Sequence, residues 1–352
     1  MSEDLAALLA SCPAPLAHAP DILMAHGSGG RLTAELVERV FLPAFRNPFL
    51  EKLDDQAVLP VGGARLAFTT DAFVVTPIVF PGGDIGRLAV NGTVNDLAMS
   101  GARPLYLGAA FILEEGLPVA ELERVVASMR DACRTAGVAL VTGDTKVVER
   151  DSGDKVFITT TGIGVVEHPV VISADRARPG DRVLLSGTIG DHGIAIMAAR
   201  DDLGLEHEIA SDSAPLHELV AAMLETGGEV HCLRDPTRGG LATTLNELAR
   251  RSRVGVVIDE ARIPVREDVR GACELLGLDP LYVANEGKLV AVVAPDGAER
   301  LLTAMRARPE GRDAAIVGEV VDDHPGLVVA RTRVGGSRVV DLLTGDQLPR
   351  IC

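Results

Sequence analysis

The chain has 352 residues, 47% of them apolar, enough for two ordinary domains with real cores. Acidic residues outnumber basic ones 50 to 34; the net charge of −16 argues against nucleic acid as the main partner, because phosphate backbones demand a basic face. Aromatics are only 3% and Trp is absent, so the cores must rest on Ala, Val, Leu and Ile, and no apolar run is long enough to span a bilayer.

Five cysteines, Cys12, Cys133, Cys232, Cys273 and Cys352, are scattered, odd in number and free of any CxxC pair. Neither a disulfide framework nor a zinc site is expected from them. The first residues lack the charged-then-apolar order of a signal peptide. Together these features predict a soluble, reduced, cytoplasmic protein with no membrane and no nucleic-acid partner. The 37 glycines cluster in short motifs, which predicts loops where backbone approaches a ligand.

Residues 1–44 read as an extension. Ala6–Leu9 suits a short helix that Pro13, Pro15 and Pro20 break. His26-Gly27-Ser28-Gly29-Gly30 forms a glycine loop ahead of a helical stretch from Leu32 to Phe41. Such a loop is either a turn before a helix or a flap over an anion, with Gly29 and Gly30 at the ligand. Residues 45–167 make a first domain. Strands are predicted at Ala57–Pro60, Arg65–Thr70, Val74–Pro77, Leu105–Ile112, Val138–Val141 and Lys155–Val165, with helices at Asp84–Leu97 and Val119–Thr135. Hairpin-like strands and separated helices predict an α+β fold, here a mixed sheet with helices on one face.

Pro169, Pro179 and Gly180 punctuate the join to a second domain, residues 168–335. Its predicted strands are Arg182–Ser186, Val254–Ile258, Leu289–Ala294, Ala315–Val320 and Leu327–Arg331. Its predicted helices are His192–Ala199, Pro215–Thr226, Leu241–Arg250, Val269–Gly277 and Ala298–Arg306. Residues 336–352 read as a mobile tail, polar at Thr344-Gly345-Asp346-Gln347 and ending Pro349-Arg350-Ile351-Cys352. The stretch from Gly345 to Cys352 reaches roughly 23 Å when extended. A thiolate is a strong nucleophile, and one on a mobile arm suggests a group carrier.

Four acidic motifs fall in the first domain: Asp54-Asp55-Gln56-Ala57, Thr69-Thr70-Asp71-Ala72, Asn91-Gly92-Thr93-Val94-Asn95-Asp96 and Gly143-Asp144-Thr145-Lys146. Asp55 precedes a predicted strand, Asp71 and Asp144 follow one, and Asp96 sits near a helix end. Each alone suits a turn or a cap. Together, at strand ends where distant residues converge, they suit a Mg²⁺–triphosphate cradle, because hard cations take carboxylate oxygens plus substrate phosphates. No Walker A or Rossmann glycine pattern offers another nucleotide site.

The spacing of DDQA, TTDAF, NGTVNDLAMSGARPLYL and TGDTKV resembles the ATP-binding half of aminoimidazole ribonucleotide synthetase and its relatives, among them selenophosphate synthetase and thiamine monophosphate kinase. In the second half Ser186-Gly187-Thr188-Ile189-Gly190-Asp191-His192-Gly193 and Arg234-Asp235-Pro236-Thr237-Arg238-Gly239-Gly240-Leu241 are similar to that superfamily's C-domain loops. The HGSGG loop, DPTRGGLATTLNELA, Asn285-Glu286-Gly287-Lys288 and the PRIC ending resemble one member family, the hydrogenase maturation proteins HypE. The resemblance covers nearly the whole chain.

It implies a two-domain aminoimidazole ribonucleotide synthetase-like fold. The N-domain sheets of a homodimer would form a barrel-like interface, beside a C-domain α/β sandwich and a flexible tail. It also implies that HypF places a carbamoyl group on Cys352, that ATP drives dehydration to a thiocyanate, and that cyanide passes to a HypC–HypD complex building the iron centre of nickel–iron hydrogenase. On that reading Asp55, Asp71, Asp96 and Asp144 hold Mg²⁺ and ATP, joined by Asn91, Asn95, Gly143 and Thr145, and Lys146 is the nearby cation. Glu286 is the candidate base, although a strand-edge surface acid has the same local pattern. His192 suits a cap or a tail contact equally. Asp235, Thr237, Arg238 and Gly239 suit a phosphate, the tail or a helix start. Two other readings stand beside this one. Selenophosphate synthetase would need a reactive residue in an N-terminal glycine loop, where Cys12 does not lie. A non-enzymatic ATP-gated scaffold would use the tail only to dock.

Overall fold

The computed structural model describes residues 21–201, 208–345 and 350–352. The expected Ala6–Leu9 helix and Cys12 lie outside the described residues. The extension begins with a 3-10 turn at Met24–Gly27 and continues through α1 (Arg31–Leu36), a π-helical turn at Val37–Phe41 and α2 (Leu42–Phe45).

The first domain holds β1 (Ala57–Val61), β2 (Ala64–Phe73), the ribbon β3 (Val79–Phe80) and β4 (Gly83–Asp84), α3 (Ile85–Ala98), β5 (Arg103–Glu114), α4 (Val119–Ala136), β6 (Ala139–Val148) and β7 (Val156–Val165). Its sheet runs β1-β2-β7-β5-β6, antiparallel except for the parallel pair β5–β6. One face packs on α3, which Asp84 caps by accepting from the Arg87 N–H at 2.9 Å. α3 is buried nearly all round, as a helix between two layers must be. The other face is open. Phe68, Ile163 and Tyr106 stand in register across β2, β7 and β5 and are 41%, 38% and 49% exposed. Among the described residues no closed barrel forms within one chain.

The second domain holds β8 (Arg182–Leu185), α5 (Asp191–Asp201), α6 (His217–Glu225), β9 (Val230–Arg234), α7 (Gly240–Ser252), β10 (Gly255–Asp259), α8 (Glu267–Leu276), β11 (Val290–Val293), α9 (Ala298–Arg306), β12 (Ala315–Val321), β13 (Val328–Arg331) and β14 (Ser337–Val340). The sheet order is β14-β13-β10-β12-β8-β11-β9. Leu241, Leu245 and Leu248 of α7 cover one face, and Leu219, Met223, Leu301 and Met305 of α6 and α9 cover the other.

Three expectations change. Val74–Pro77 extends no sheet, since Pro77 lacks the N–H a ladder needs; Val74–Thr76 pairs instead with residues 350–352. The Gly143-Asp144 segment is no turn: β6 runs straight through it in parallel register with β5. β9 and β14 are strands that the periodicity did not reveal, and β14 lies inside the segment expected to be tail.

One core cluster spans both domains, joining Phe73, Leu88 and Ile158 to Ile194, Val269 and Val283. Polar clamps cross the same seam. Asn95, buried on α3, accepts from the Leu216 N–H at 2.8 Å and donates to the carbonyls of Ala214 and Glu286 at 3.1 and 3.3 Å. Asn91 donates to Ser213 Oγ at 3.1 Å. Replacing Asn95 with Ala strands the Leu216 N–H in the interior. Asn95→Ala should lose about 1–3 kcal/mol of stability in denaturant unfolding; a loss below about 0.5 kcal/mol, the ordinary surface level, would mean the clamp is dispensable.

Candidate active site

The last three residues lie inward across the domain seam. Val74 N–H donates to the Cys352 carbonyl at 3.0 Å and Thr76 N–H to the Arg350 carbonyl at 3.1 Å, with Val75 opposite Ile351 in an antiparallel bridge. Ile351 is 4% exposed and packs into the domain-spanning core. His192 Nε2 lies 2.6 Å from the Ile351 carbonyl oxygen. The Arg200 guanidinium donates to the carbonyls of Thr76 and Arg350, and Arg350 pairs with Asp154.

This docking sets the half-buried Cys352 thiol against Glu286 and Arg238. Burial pushes the thiol far above its ordinary range; Arg238 pulls it back, while the Glu286 and Asp71 carboxyls push it further. Glu286 is 3% exposed, and its carboxyl is raised well above its usual range by burial first, then by Asp235, Asp71 and Asp212, against Arg238.

The loop that aims Glu286 is tightly built. Asp212 Oδ1 accepts from the Glu286 N–H at 3.0 Å and Oδ2 from Lys288 Nζ at 3.0 Å. Asn285 accepts from the Gly190 N–H at 2.8 Å and donates to the Pro236 carbonyl at 2.8 Å. Between them Gly287 runs against the Asp212 backbone so closely that any Cβ would collide with its carbonyl.

Beyond Glu286 lies a run of half-buried acids. Asp55 pairs with Arg234 at 3.0 Å, and Thr69 Oγ1 donates to Asp96 Oδ2 at 2.8 Å. Asp71 on β2 faces Arg238 at 4.0 Å. Burial is the first cause that raises the carboxyls of Asp55, Asp71 and Asp96, and Asp235 is raised to about 6 by burial against the pull of Arg234. Among the described residues no three His, Cys, Asp or Glu side chains are grouped to cage a metal alone. Mutual repulsion within this set, and the Oδ2 of Asp55 left without a partner, still fit a hard cation that takes one or two carboxylates plus phosphate oxygens.

Of the residues expected at the site, Cys352, Glu286, Asp55, Asp71 and Asp96 converge. Gly29 and Gly30 join them from outside: the loop packs on Arg238 and Leu343, Gly29 has φ +75°, and Arg238 donates to the Gly27 carbonyl at 3.3 Å. Asn91 and Asn95 instead give their amides to the domain seam. Gly143, Asp144, Thr145 and Lys146 lie on the exposed edge strand β6, where Lys146 pairs with Asp144 at 2.8 Å, so in a single chain they do not meet those acids. His192 turns out to touch the tail. Arg234 and Asp212 were not singled out as site residues: Asp212 belongs to no recognisable motif, and only the polar Ser211-Asp212-Ser213 triplet ahead of α6 hinted at it.

The chain matches AIR synthase related proteins in two parts, the N-terminal domain over residues 53–166 and the C-terminal domain over residues 178–330. The carbamoyl dehydratase HypE of Azotobacter vinelandii is 61% identical over 329 residues, covering 94% of this chain and 96% of that protein. The crystal structure of a HypE–HypF complex is similar with a TM-score of 0.84 at 50% identity, covering 88% of this chain and 99% of that one. That of the hydrogenase maturation protein HypE in complex with ATP gives a TM-score of 0.80 at 51% identity, covering 94% and 100%. With likeness of that order along nearly its whole length, the chain belongs to the HypE carbamoyl dehydratase family.

Proposed function

We propose that this chain uses ATP to dehydrate a carbamoyl group on Cys352 to a thiocyanate, supplying the cyanide ligand for the iron centre of nickel–iron hydrogenase. The observation that carries this reading is the docking of Cys352 against Arg238 and the buried Glu286.

Oxide is a poor leaving group from an amide. ATP supplies a phosphoryl group that turns the carbamoyl oxygen into phosphate. In balance, the bond between the γ-phosphorus and ADP breaks and one to the carbamoyl oxygen forms. Both N–H protons are lost, one to Glu286 and one to the departing phosphate, the carbon–oxygen bond breaks with that phosphate leaving, and S–C≡N remains. Glu286 takes a proton from nitrogen; its raised proton affinity suits a weakly acidic N–H. Arg238 faces the sulfur and the acids and offsets negative charge near the reacting carbon. Asp55, Asp71 and Asp96 would hold Mg²⁺, which neutralises phosphate charge when bound, and the Gly29-Gly30 loop would cover the nucleotide. Asn91 and Asn95 serve the same site by fixing the seam beneath it.

The thiol changes place between steps. Docked, burial keeps it protonated and unreactive. The thiolate that accepts the carbamoyl group forms outside, in water, where HypF loads it. Handing cyanide to a HypC–HypD complex needs the same outward position. A reducing cytoplasm suits a free carrier thiol. The open apolar face with Phe68, Ile163 and Tyr106 suits a homodimer. Pairing there would carry β6 of one copy toward the acids of the other, and Lys146 would then supply its cation.

Cys352→Ser should bind ATP normally and carry no carbamoyl or cyano group; an adduct on the variant by intact mass, or on Cys12, Cys133, Cys232 or Cys273 of the wild type, would remove the carrier role. Glu286→Gln should still be loaded on Cys352 but form thiocyanate roughly 10²–10⁴-fold more slowly. Normal turnover in that variant would make Glu286 a structural acid. Asp71→Asn should weaken Mg²⁺-dependent ATP binding about tenfold in calorimetry, a change of ~1.4 kcal/mol, while leaving the loading of Cys352 intact. Unchanged affinity would take Asp71 out of the cradle.

A further inference from the structure

His192 is buried on the first turn of α5 and has both ring nitrogens engaged. Nε2 lies 2.6 Å from the Ile351 carbonyl oxygen and Nδ1 lies 2.8 Å from Ser211 Oγ. A carbonyl only accepts, so Nε2 must carry the hydrogen. In a neutral imidazole Nδ1 is then bare and accepts from the Ser211 hydroxyl, whose oxygen in turn receives the Ser213 N–H at 3.1 Å. The donors therefore run one way, from Ser213 through Ser211 and His192 to the tail. This chain requires a neutral imidazole. Burial favours that form, lowering the His192 pKa against Asp212 and the Ile351 carbonyl. The edge of Phe80 closes the pocket, its ring centroid 5.6 Å away.

The segment behind His192 has a second duty. Asp212, between the two serines, holds the backbone N–H of Glu286 and the ammonium of Lys288, each at 3.0 Å. The segment is itself pinned to the first domain: Ser211 N–H donates to the Pro81 carbonyl at 2.8 Å, and Ser213 Oγ accepts from Asn91 at 3.1 Å. Three consecutive residues thus fix both the tail's last peptide and the carboxylate it is presented to.

We propose that His192, supported by Ser211–Ser213, is a positioning residue that registers the inward tail against Glu286. It touches no reacting atom. It sets the height at which the residue before the carrier cysteine stops, and so where the group on sulfur meets the base. This rests on the carrier reading of Cys352. It separates two steps: work done on the docked tail depends on His192, and work done on the free tail does not.

The test uses the full chain and the variants His192→Phe, His192→Gln and Ser211→Ala. Three rates are read: alkylation of Cys352 by iodoacetamide, followed by peptide mass; loading by HypF with carbamoyl phosphate and ATP; and ATP-dependent conversion of the preloaded carbamoyl adduct to thiocyanate. His192→Phe leaves a docked carbonyl unpaired. It should speed alkylation and slow conversion, each by about fivefold or more, with loading at the wild-type rate or faster. His192→Gln keeps an N–H donor and should recover most of the conversion. Ser211→Ala frees the tautomer and should fall between. Unchanged alkylation and conversion in His192→Phe would overturn the proposal. So would a parallel loss of loading, conversion and ATP binding in both His192→Phe and Ser211→Ala, which is damage to the fold. A wild-type chain that takes no carbamoyl group on Cys352 would sink the carrier reading instead, and the alkylation rates would still decide whether His192 holds the tail.

Discussion

Two arginines, one at the end of β9 and one on the loop after it, make the centre of this molecule tolerable. Asp55, Asp71, Asp96, Asp235 and Glu286 crowd one seam, where Asp55, Asp71 and Asp235 raise the proton affinity of others in the set. Charges taken out of water cost far more than they return unless paired. Arg234 answers Asp55 and Glu247, and Arg238 answers Asp71, Glu286 and the thiol. Arg234 ends β9 and Arg238 lies on the short loop that follows, which opens α7 with Gly239 and Gly240 at left-handed φ where the helix begins. Much else follows from that placement: the glycine loop rests on Arg238, and the last peptide docks where Arg238 can reach its sulfur.

The seam also explains why two domains act as one. An apolar cluster runs through it, and the polar clamps from Asn91, Asn95 and Asp54 cross it beside the acids. Interfaces between domains are ordinarily small and permissive of motion. Here the same residues that join the domains also hold the loops that aim Glu286 and receive the tail, so the geometry around Glu286 and the domain arrangement are a single structural fact.

Much of this was legible in the sequence because it was local. The helix Ala298–Arg306 appears with its expected bounds, and the periodic strands of both sheets lie where alternation put them. The acidic motifs and Glu286 were visible as compact clusters. What escaped depends on partners far along the chain. Val74–Thr76 has the β-branched look of a sheet strand, yet its partner is the other end of the sequence. The amides of Asn91 and Asn95 read as nucleotide ligands, yet they bond across the seam, and nothing in a helix pattern marks such a contact. β6 carried a glycine and an aspartate that read as a turn; its parallel neighbour overrides that preference. Asp212 works through a backbone N–H and a buried ammonium, and neither leaves a motif.

Among the described residues the docked end of the chain is held by a short ladder: two backbone hydrogen bonds, one imidazole and contacts through Arg200 and Arg350, a pairing with little stability of its own. The firmest part of the hold is the Ile351 side chain, whose burial is worth ~1.5–3 kcal/mol. In the proposed carrier cycle Ile351 would be a detent. Its volume would set how long the arm dwells before release, and so the tempo of that cycle: a bulkier, better-seated residue would make a slow clock, a smaller one a fast and leaky one.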